Sequence, residues 1–121
     1  LNYLGDKKCV FCDCEISEII QGAHIWPVAE IKRHTNLTIE EQLSYATDKS
    51  NGLWMCQNHH KLFDSNIIRL TETGKVIYSL NLPDSYKNYI DSITLSITLP
   101  HTIVTKDFQY FIRMRNEKII D

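Results

Sequence analysis

The sequence lacks a long apolar run, a recognisable export leader and an excess of charge of one sign. Its longest apolar stretches, such as 53–56, are far shorter than the roughly 18 residues of a membrane-spanning helix, and no basic-then-apolar segment opens the chain. We therefore expect a protein that neither crosses a membrane nor is exported, with a cytoplasmic location. Thirteen lysines and arginines stand against fifteen aspartates and glutamates, so the basic coat that would by itself indicate nucleic acid is absent.

Apolar residues, by contrast, are present in the proportion that a folded core needs. They make up 43% of the 121 residues, which excludes intrinsic disorder and fits one domain rather than two. No repeat or low-complexity linker divides the chain. It begins at Leu1 rather than at a methionine, from which we expect a piece of a longer protein.

The four cysteines are few and unevenly placed, because three fall close together near the start and the fourth lies far downstream. Neighbouring cysteines rarely satisfy the geometry of a disulfide. C-x2-C followed much later by C-x2-H is instead the spacing of a structural zinc site, since each pair forms a tight knuckle that directs two ligands at one tetrahedral ion. We therefore predict a structural Zn²⁺ held by Cys9, Cys12, Cys56 and His59, with Cys14 as an alternative to Cys12.

Local patterns predict a mixture of short strands and helices. Thr38 followed by Glu41 is typical of a capping box, which opens a helix running to about Ala46. Further extended segments are expected at 16–24, 53–55 and 93–99, a β-hairpin around Gly74, and helices at 57–64, at about 84–91 and after Thr105.

Three motifs in a fixed order carry a resemblance to a known family. They are Gly-Ala-His-Ile-Trp-Pro at 22–27, Ser-Asn-Gly-Leu at 50–53 and Cys-Gln-Asn-His-His-Lys-Leu-Phe-Asp at 56–64. Together they resemble the HNH endonucleases, in particular the Gly-Ala-His modules of restriction and defence nucleases. The resemblance implies an α+β fold, in which a ββα-metal core with a zinc knuckle occupies about 9–66 and a C-terminal extension of a hairpin and helices occupies about 67–121 of a single domain.

The resemblance also implies a metal-dependent endonuclease that hydrolyses DNA. His24 is the expected general base, because imidazole exchanges protons near neutral pH. Asn51, also expected to belong to the catalytic set, would hold the hairpin and orient His24, or reach the metal. His60 and Asp64 are four residues apart on a predicted helix, so both can bind one Mg²⁺ or another divalent ion, with His60 counted as catalytic.

Contacts to nucleic acid are expected from Lys61, Arg113 and Arg115, with a solvated or packed helix surface as the alternative reading of these charges. The predicted setting is the effector domain of a prokaryotic or phage protein for restriction or anti-phage defence. We expect a further recognition or sensor domain in the full-length protein, and the oligomeric state stays open.

One position departs from the family pattern. Many members carry Asp or His as a metal ligand directly before the general base, whereas this chain has Ala23, which cannot coordinate. Asp64 is expected to replace that ligand. The alternative is a non-catalytic zinc-knuckle module that binds nucleic acid or protein; His60 distinguishes the two, since such a module needs His59 for zinc but no second histidine beside it.

Overall fold

The computed structural model describes residues 3–119, which form short strands and helices in an α+β arrangement. A 3-10 turn at Ser17–Ile19 precedes the first strand. In chain order the elements are β1 (Ile20–His24), α1 (Val28–Arg33), α2 (Ile39–Ala46), β2 (Gly52–Cys56), α3 (Gln57–Asp64), β3 (Ile68–Leu70), β4 (Val76–Tyr78), α4 (Asp84–Ile93) and α5 (Lys106–Asn116).

Strands β1 and β2 form an antiparallel pair that packs against α3. Ile20 lies opposite Cys56 and His24 lies opposite Gly52, so β1 ends where β2 begins. Helix α3 follows β2 without a break and contacts both strands. This arrangement confirms the ββα-metal fold.

The two faces of this hairpin have different surroundings because side chains alternate along a strand. Ala23, Leu53 and Met55 are buried in the core on the face towards α3. The ring of Tyr3 covers the opposite face, where it lies over Gly22 and Gly52, and a side chain at either glycine would overlap this ring. Glycine at both positions is therefore required by the close approach of Tyr3.

The long connection between β1 and β2 contains the predicted capping box. The Thr38 hydroxyl accepts a hydrogen bond from Glu41 N–H at 3.1 Å, and the Glu41 carboxylate accepts one from Thr38 N–H at 3.0 Å. Helix α2 consequently starts after Thr38 and ends at Ala46, as the sequence predicts. Its last turn brings the backbone of residues 45 and 46 beside the end of β1.

The C-terminal extension completes the core. Strands β3 and β4 form the hairpin predicted around Gly74. The Thr105 hydroxyl caps α5 by accepting a hydrogen bond from Phe108 N–H at 3.1 Å. Phe108, Phe111 and Ile112 on α5 are buried in the same cluster as the hairpin side chains, so the extension packs onto the ββα unit.

Two predicted extended segments differ from the structure: 16–24 is a strand only over Ile20–His24, and 93–99 forms no strand. Residues 17–19 form a 3-10 turn before β1 begins. The segment expected at 93–99 contains the end of α4, and its only β-pairing among the described residues is a single bridge between Thr98 and Lys75. Of the apolar residues in this segment, Leu99 is buried in the core, whereas Leu95 and Ile97 are exposed, so the segment has no continuous buried face that strand pairing would cover. Within residues 3–119, no helix has the length and apolar character that a membrane span requires.

Candidate active site and metal centre

Three cysteines and one histidine meet at the start of α3. One ligand atom from each of the four side chains lies within 4.8 Å of the other three, and the members are Cys9, Cys12, Cys56 and His59. Cys56 is the residue that caps α3, which places His59 on the first turn of the helix. The N-terminal knuckle is fixed to β2 by a hydrogen bond from Val10 N–H to the Trp54 carbonyl at 3.0 Å.

The donor atoms of this cluster fit a structural zinc ion. His59 Nδ1 lies 3.3 Å from the Cys56 sulfur and 3.6 Å from the Cys9 sulfur. His59 Nε2 lies 2.9 Å from the Thr94 hydroxyl oxygen, so its N–H has an acceptor while Nδ1 faces the sulfurs. Of the two alternatives at the knuckle, the structure brings Cys12 into the cluster, and the Cys14 carbonyl instead accepts a hydrogen bond from Cys9 N–H.

Burial favours the neutral form of three of these groups. It raises the pKa of the Cys9 thiol, and it raises the pKa of Cys12 to about 12. Buried thiols of this kind stay protonated unless a cation stabilises the thiolate. Burial also lowers the pKa of His59, which favours the neutral imidazole that binds a metal.

His24 is the last residue of β1, and a backbone carbonyl holds its ring. Nε2 lies 2.9 Å from the Ala46 carbonyl oxygen. A carbonyl only accepts hydrogen bonds, so Nε2 carries the hydrogen, and in the neutral ring Nδ1 then has the lone pair. The half-buried ring also lies edge-on to Tyr3, with 6.2 Å between ring centroids.

Asn51 is fully buried in the loop before β2 and joins that loop to the residues after β1. Its Oδ1 accepts from Trp26 N–H at 2.7 Å, and its Nδ2 donates to the carbonyls of Trp26 at 3.1 Å and Tyr45 at 3.0 Å. Tyr45 directly precedes Ala46, whose carbonyl holds His24. The described contacts of the Asn51 amide all go to backbone groups and fix the position of this loop, and they do not reach His60 or Asp64.

His60 and Asp64 lie together on α3, one turn apart. His60 Nε2 is 3.2 Å from Asp64 Oδ2. His60 Nδ1 is 2.6 Å from the side-chain oxygen of Gln21 on β1. The pair is accessible to solvent, because 23% of the His60 side chain and 56% of the Asp64 side chain are exposed.

The two parts of the predicted site approach the hairpin from different faces. Gln21 and Ala23 belong to the face that meets α3, whereas His24 belongs to the face that Tyr3 covers. Within residues 3–119, no hydrogen bond or ion pair joins His24 to His60 or Asp64. His24 is connected to its neighbours through Ala46, and the helix pair is connected to β1 through Gln21.

The family model described as HNH endonuclease matches residues 9–70, which are 62 of the 121 residues. This chain belongs to the HNH endonuclease family. The matched stretch contains β1, β2, α3 and the whole cysteine and histidine cluster. The resemblance that the three motifs carry is therefore confirmed at the level of the family. Proteins of this family are in general nucleases that act on DNA and use divalent metals. A comparison with curated proteins found no match.

The basic residues predicted to meet DNA lie in different places on this HNH module. Lys61 is exposed on α3, next to His60. Arg113 is exposed on α5 but donates to the Glu72 carboxylate at 2.8 Å, so its charge is already paired.

Arg115 requires a correction, because the structure buries it. Its guanidinium donates to the carbonyls of Ile25 at 2.9 Å and Phe63 at 2.7 Å and to the Asn66 side-chain oxygen at 3.0 Å. It also stacks on the Phe63 ring, 3.8 Å from the centroid. Burial lowers the pKa of Arg115 to about 10, and the negative charge of Asp64 opposes that shift. Arg115 is therefore an internal structural residue rather than a surface contact for phosphate.

Three residues near the site were not singled out by sequence reasoning. Gln21 contacts His60, Thr94 contacts His59, and Tyr3 covers the hairpin face of His24. A glutamine before a glycine and a threonine after a helix carry no sequence signal for these roles. The two glycines of the hairpin do carry a signal, since glycine within a strand indicates close approach of another group.

Proposed function

We propose that this HNH module is an active, metal-dependent endonuclease that hydrolyses phosphodiester bonds in DNA. His24 acts as the general base, and His60 and Asp64 hold the catalytic divalent ion. The observation that carries the proposal is the hydrogen bond from His24 to the Ala46 carbonyl. It leaves Nδ1 as a proton acceptor on an oriented, half-buried imidazole, which is the arrangement that general-base catalysis requires.

The residues around the base support this role. Asn51 fixes the loop that carries Ala46, and through it the ring of His24. Nδ1 would remove the proton from the attacking water, and the Nε2 hydrogen bond would stabilise the imidazolium that forms. Asn51 is thus a positioning residue for the base.

The His60–Asp64 pair supports the metal site. Its imidazole nitrogen and carboxylate oxygen lie 3.2 Å apart and are accessible from solvent, and this mixed donor set fits Mg²⁺, Mn²⁺ or another divalent ion. When bound, such an ion supplies positive charge for the scissile phosphate and the departing 3′ oxygen. Ala23 adds no ligand, so water and phosphate would complete the coordination.

Plasmid cleavage across a series of divalent ions tests the proposal. His24→Ala should reduce cleavage by about 100- to 10,000-fold, the usual contribution of a general base, while bound zinc is retained and stability falls by only about 1 kcal/mol for one lost hydrogen bond. His101→Ala is the control, since this exposed histidine lies outside the site. Residual activity of His24→Ala within about tenfold of the parent would place the base elsewhere.

The metal pair is tested in the same assay. Asp64→Asn should raise the concentration of Mg²⁺ needed for half-maximal cleavage, because an amide oxygen is a poorer ligand for a hard cation than a carboxylate. An unchanged metal requirement would contradict the pair. Single-stranded and duplex RNA are included as substrates, since the preference for DNA rests on the family.

A non-catalytic binding module is the second candidate, and the missing ligand at Ala23 is the observation that favours it. Binding of DNA by the protein, with no cleavage in the presence of any of the divalent ions, would support this alternative. The wider setting is also a proposal: an effector domain in a restriction or anti-phage defence protein, supported by the likeness of the C-terminal hairpin and helix to those modules.

A further inference from the structure

The two ring nitrogens of His60 have different partners, and the difference carries chemical information. Nδ1 lies 2.6 Å from Gln21 Oε1, and Nε2 lies 3.2 Å from Asp64 Oδ2. An amide oxygen only accepts hydrogen bonds, so the contact with Gln21 requires the hydrogen on Nδ1. In the neutral ring, Nε2 then presents a lone pair towards Asp64.

In the imidazolium, a proton on Nε2 bridges these two atoms; in the neutral ring, only a cation between or beside them relieves the repulsion between the lone pair and the carboxylate oxygen. The arrangement therefore suits two ligands of one positive ion. A histidine that binds a metal through one nitrogen usually donates its other N–H to an oxygen acceptor, which fixes the ring and makes the metal-binding nitrogen more basic. Gln21 supplies that acceptor here.

We propose that Gln21 is a positioning residue that holds His60 with Nε2 directed towards Asp64 and ready to bind the catalytic ion. This inference rests on the proposed function, since it assumes that His60 and Asp64 hold that ion. Gln21 lies two residues before Ala23 on the same face of β1. Strand β1 thus carries the base at His24 and also, through Gln21, sets the orientation of a metal ligand on α3.

Gln21 acts on the ion through His60. Its oxygen is at hydrogen-bond distance from Nδ1, so it is engaged with the ring nitrogen that faces away from Asp64. The His60 ring is further restricted because it is half-buried where α3 contacts β1. Loss of such an outer partner typically weakens metal binding by about 10- to 100-fold, and the exposure of Gln21 favours the lower end of that range.

Binding of Mn²⁺ to the zinc-loaded protein, followed by electron paramagnetic resonance, tests this role without any cleavage. Gln21→Ala should weaken Mn²⁺ binding by about tenfold. Gln21→Glu should restore it, because a carboxylate also accepts from Nδ1–H. Gln42→Ala on α2 is the matched control and should bind Mn²⁺ as the parent does.

A nitrogen-15 spectrum of the histidine rings gives a second measurement in the Mg²⁺-saturated protein. The expected signature for His60 is a proton on Nδ1 and none on Nε2, and in Gln21→Ala this proton should exchange faster with water because its acceptor is gone. The opposite tautomer in the parent would overturn the proposal.

The combined result separates this inference from the proposed function. If Asp64→Asn weakens Mn²⁺ binding and Gln21→Ala does not, the ion site stands and the role of Gln21 is refuted. If neither variant weakens binding, the His60–Asp64 site itself is wrong, and the role of Gln21 fails with it.

Discussion

Replacement of Asn51 by alanine is expected to destabilise the protein far more than the loss of an ordinary asparagine. The side chain is fully buried and makes three hydrogen bonds, all to backbone groups. The N–H and carbonyl of Trp26 have no other hydrogen-bond partner among residues 3–119. The Tyr45 carbonyl keeps a bond from Asp48 N–H at 3.4 Å.

The magnitude follows from these contacts. Three lost hydrogen bonds at about 1 kcal/mol each, with about 1 to 2 kcal/mol more for the two Trp26 groups left buried without partners, give roughly 4 to 5 kcal/mol. This is a large part of the stability of a small domain, which is about 5 to 15 kcal/mol. Asn51→Asp should be at least as destabilising, because it keeps the acceptor but places a buried carboxylate against two carbonyl oxygens.

Urea unfolding of the zinc-loaded protein measures the effect. The matched control is Asn116→Ala, which removes one half-buried bond to the Leu70 carbonyl at 3.0 Å and should cost about 1 kcal/mol. In the fraction of Asn51→Ala that remains folded, cleavage should also fall, since the Ala46 carbonyl no longer holds His24 in place. The reasoning is refuted if Asn51→Ala costs no more than Asn116→Ala.

Two further predictions concern zinc and alkaline pH. Cys56→Ser should lose both zinc and the native circular dichroism spectrum, because metal affinity in such a site is part of the folding free energy. The control Cys14→Ser should keep both. A folded, zinc-free Cys56→Ser protein would contradict this prediction. Burial and the hydrogen bond to Asp91 raise the pKa of Tyr78 to about 12 from 10.0. The stability that the protonated Tyr78 contributes is complete below pH 10 and is lost between about pH 10 and 12. The difference in unfolding free energy between the parent and Tyr78→Phe should therefore shrink from about pH 9 to about pH 11.5. A difference that stays constant over this range would contradict the raised pKa of Tyr78.

Features that depend on residues close in sequence were predictable. The capping box at Thr38 and the bounds of α3 follow from local hydrogen bonding and helical spacing, and the structure has both. The cluster of Cys9, Cys12, Cys56 and His59 joins distant segments, but each ligand pair is local and the ligand chemistry is restrictive, so the spacing was sufficient to predict that the four side chains meet.

Features that depend on which surfaces meet were not predictable. Arg115 lies on an aromatic and basic helix, where its charge indicates a surface position, and only the tertiary fold shows the three acceptors that allow its burial. The partnership of Gln21 with His60 likewise depends on how α3 packs on β1. The extended segment predicted at 93–99 was wrong because α4 continues to Ile93 and, beyond it, Leu99 is buried while Leu95 and Ile97 are exposed, which only the tertiary fold shows.

The placement of Arg115 has a consequence for how the protein unfolds. Its guanidinium bonds to the residue after His24 and to the residue before Asp64, although it comes from α5, which lies beyond residues 9–70. Detachment of α5 would leave those carbonyls without their charged donor and would open the aromatic cluster around Phe63. The hairpin, α3 and α5 therefore form one cooperative unit, in which amide hydrogens of β1 should exchange with solvent only when the C-terminal helix also opens.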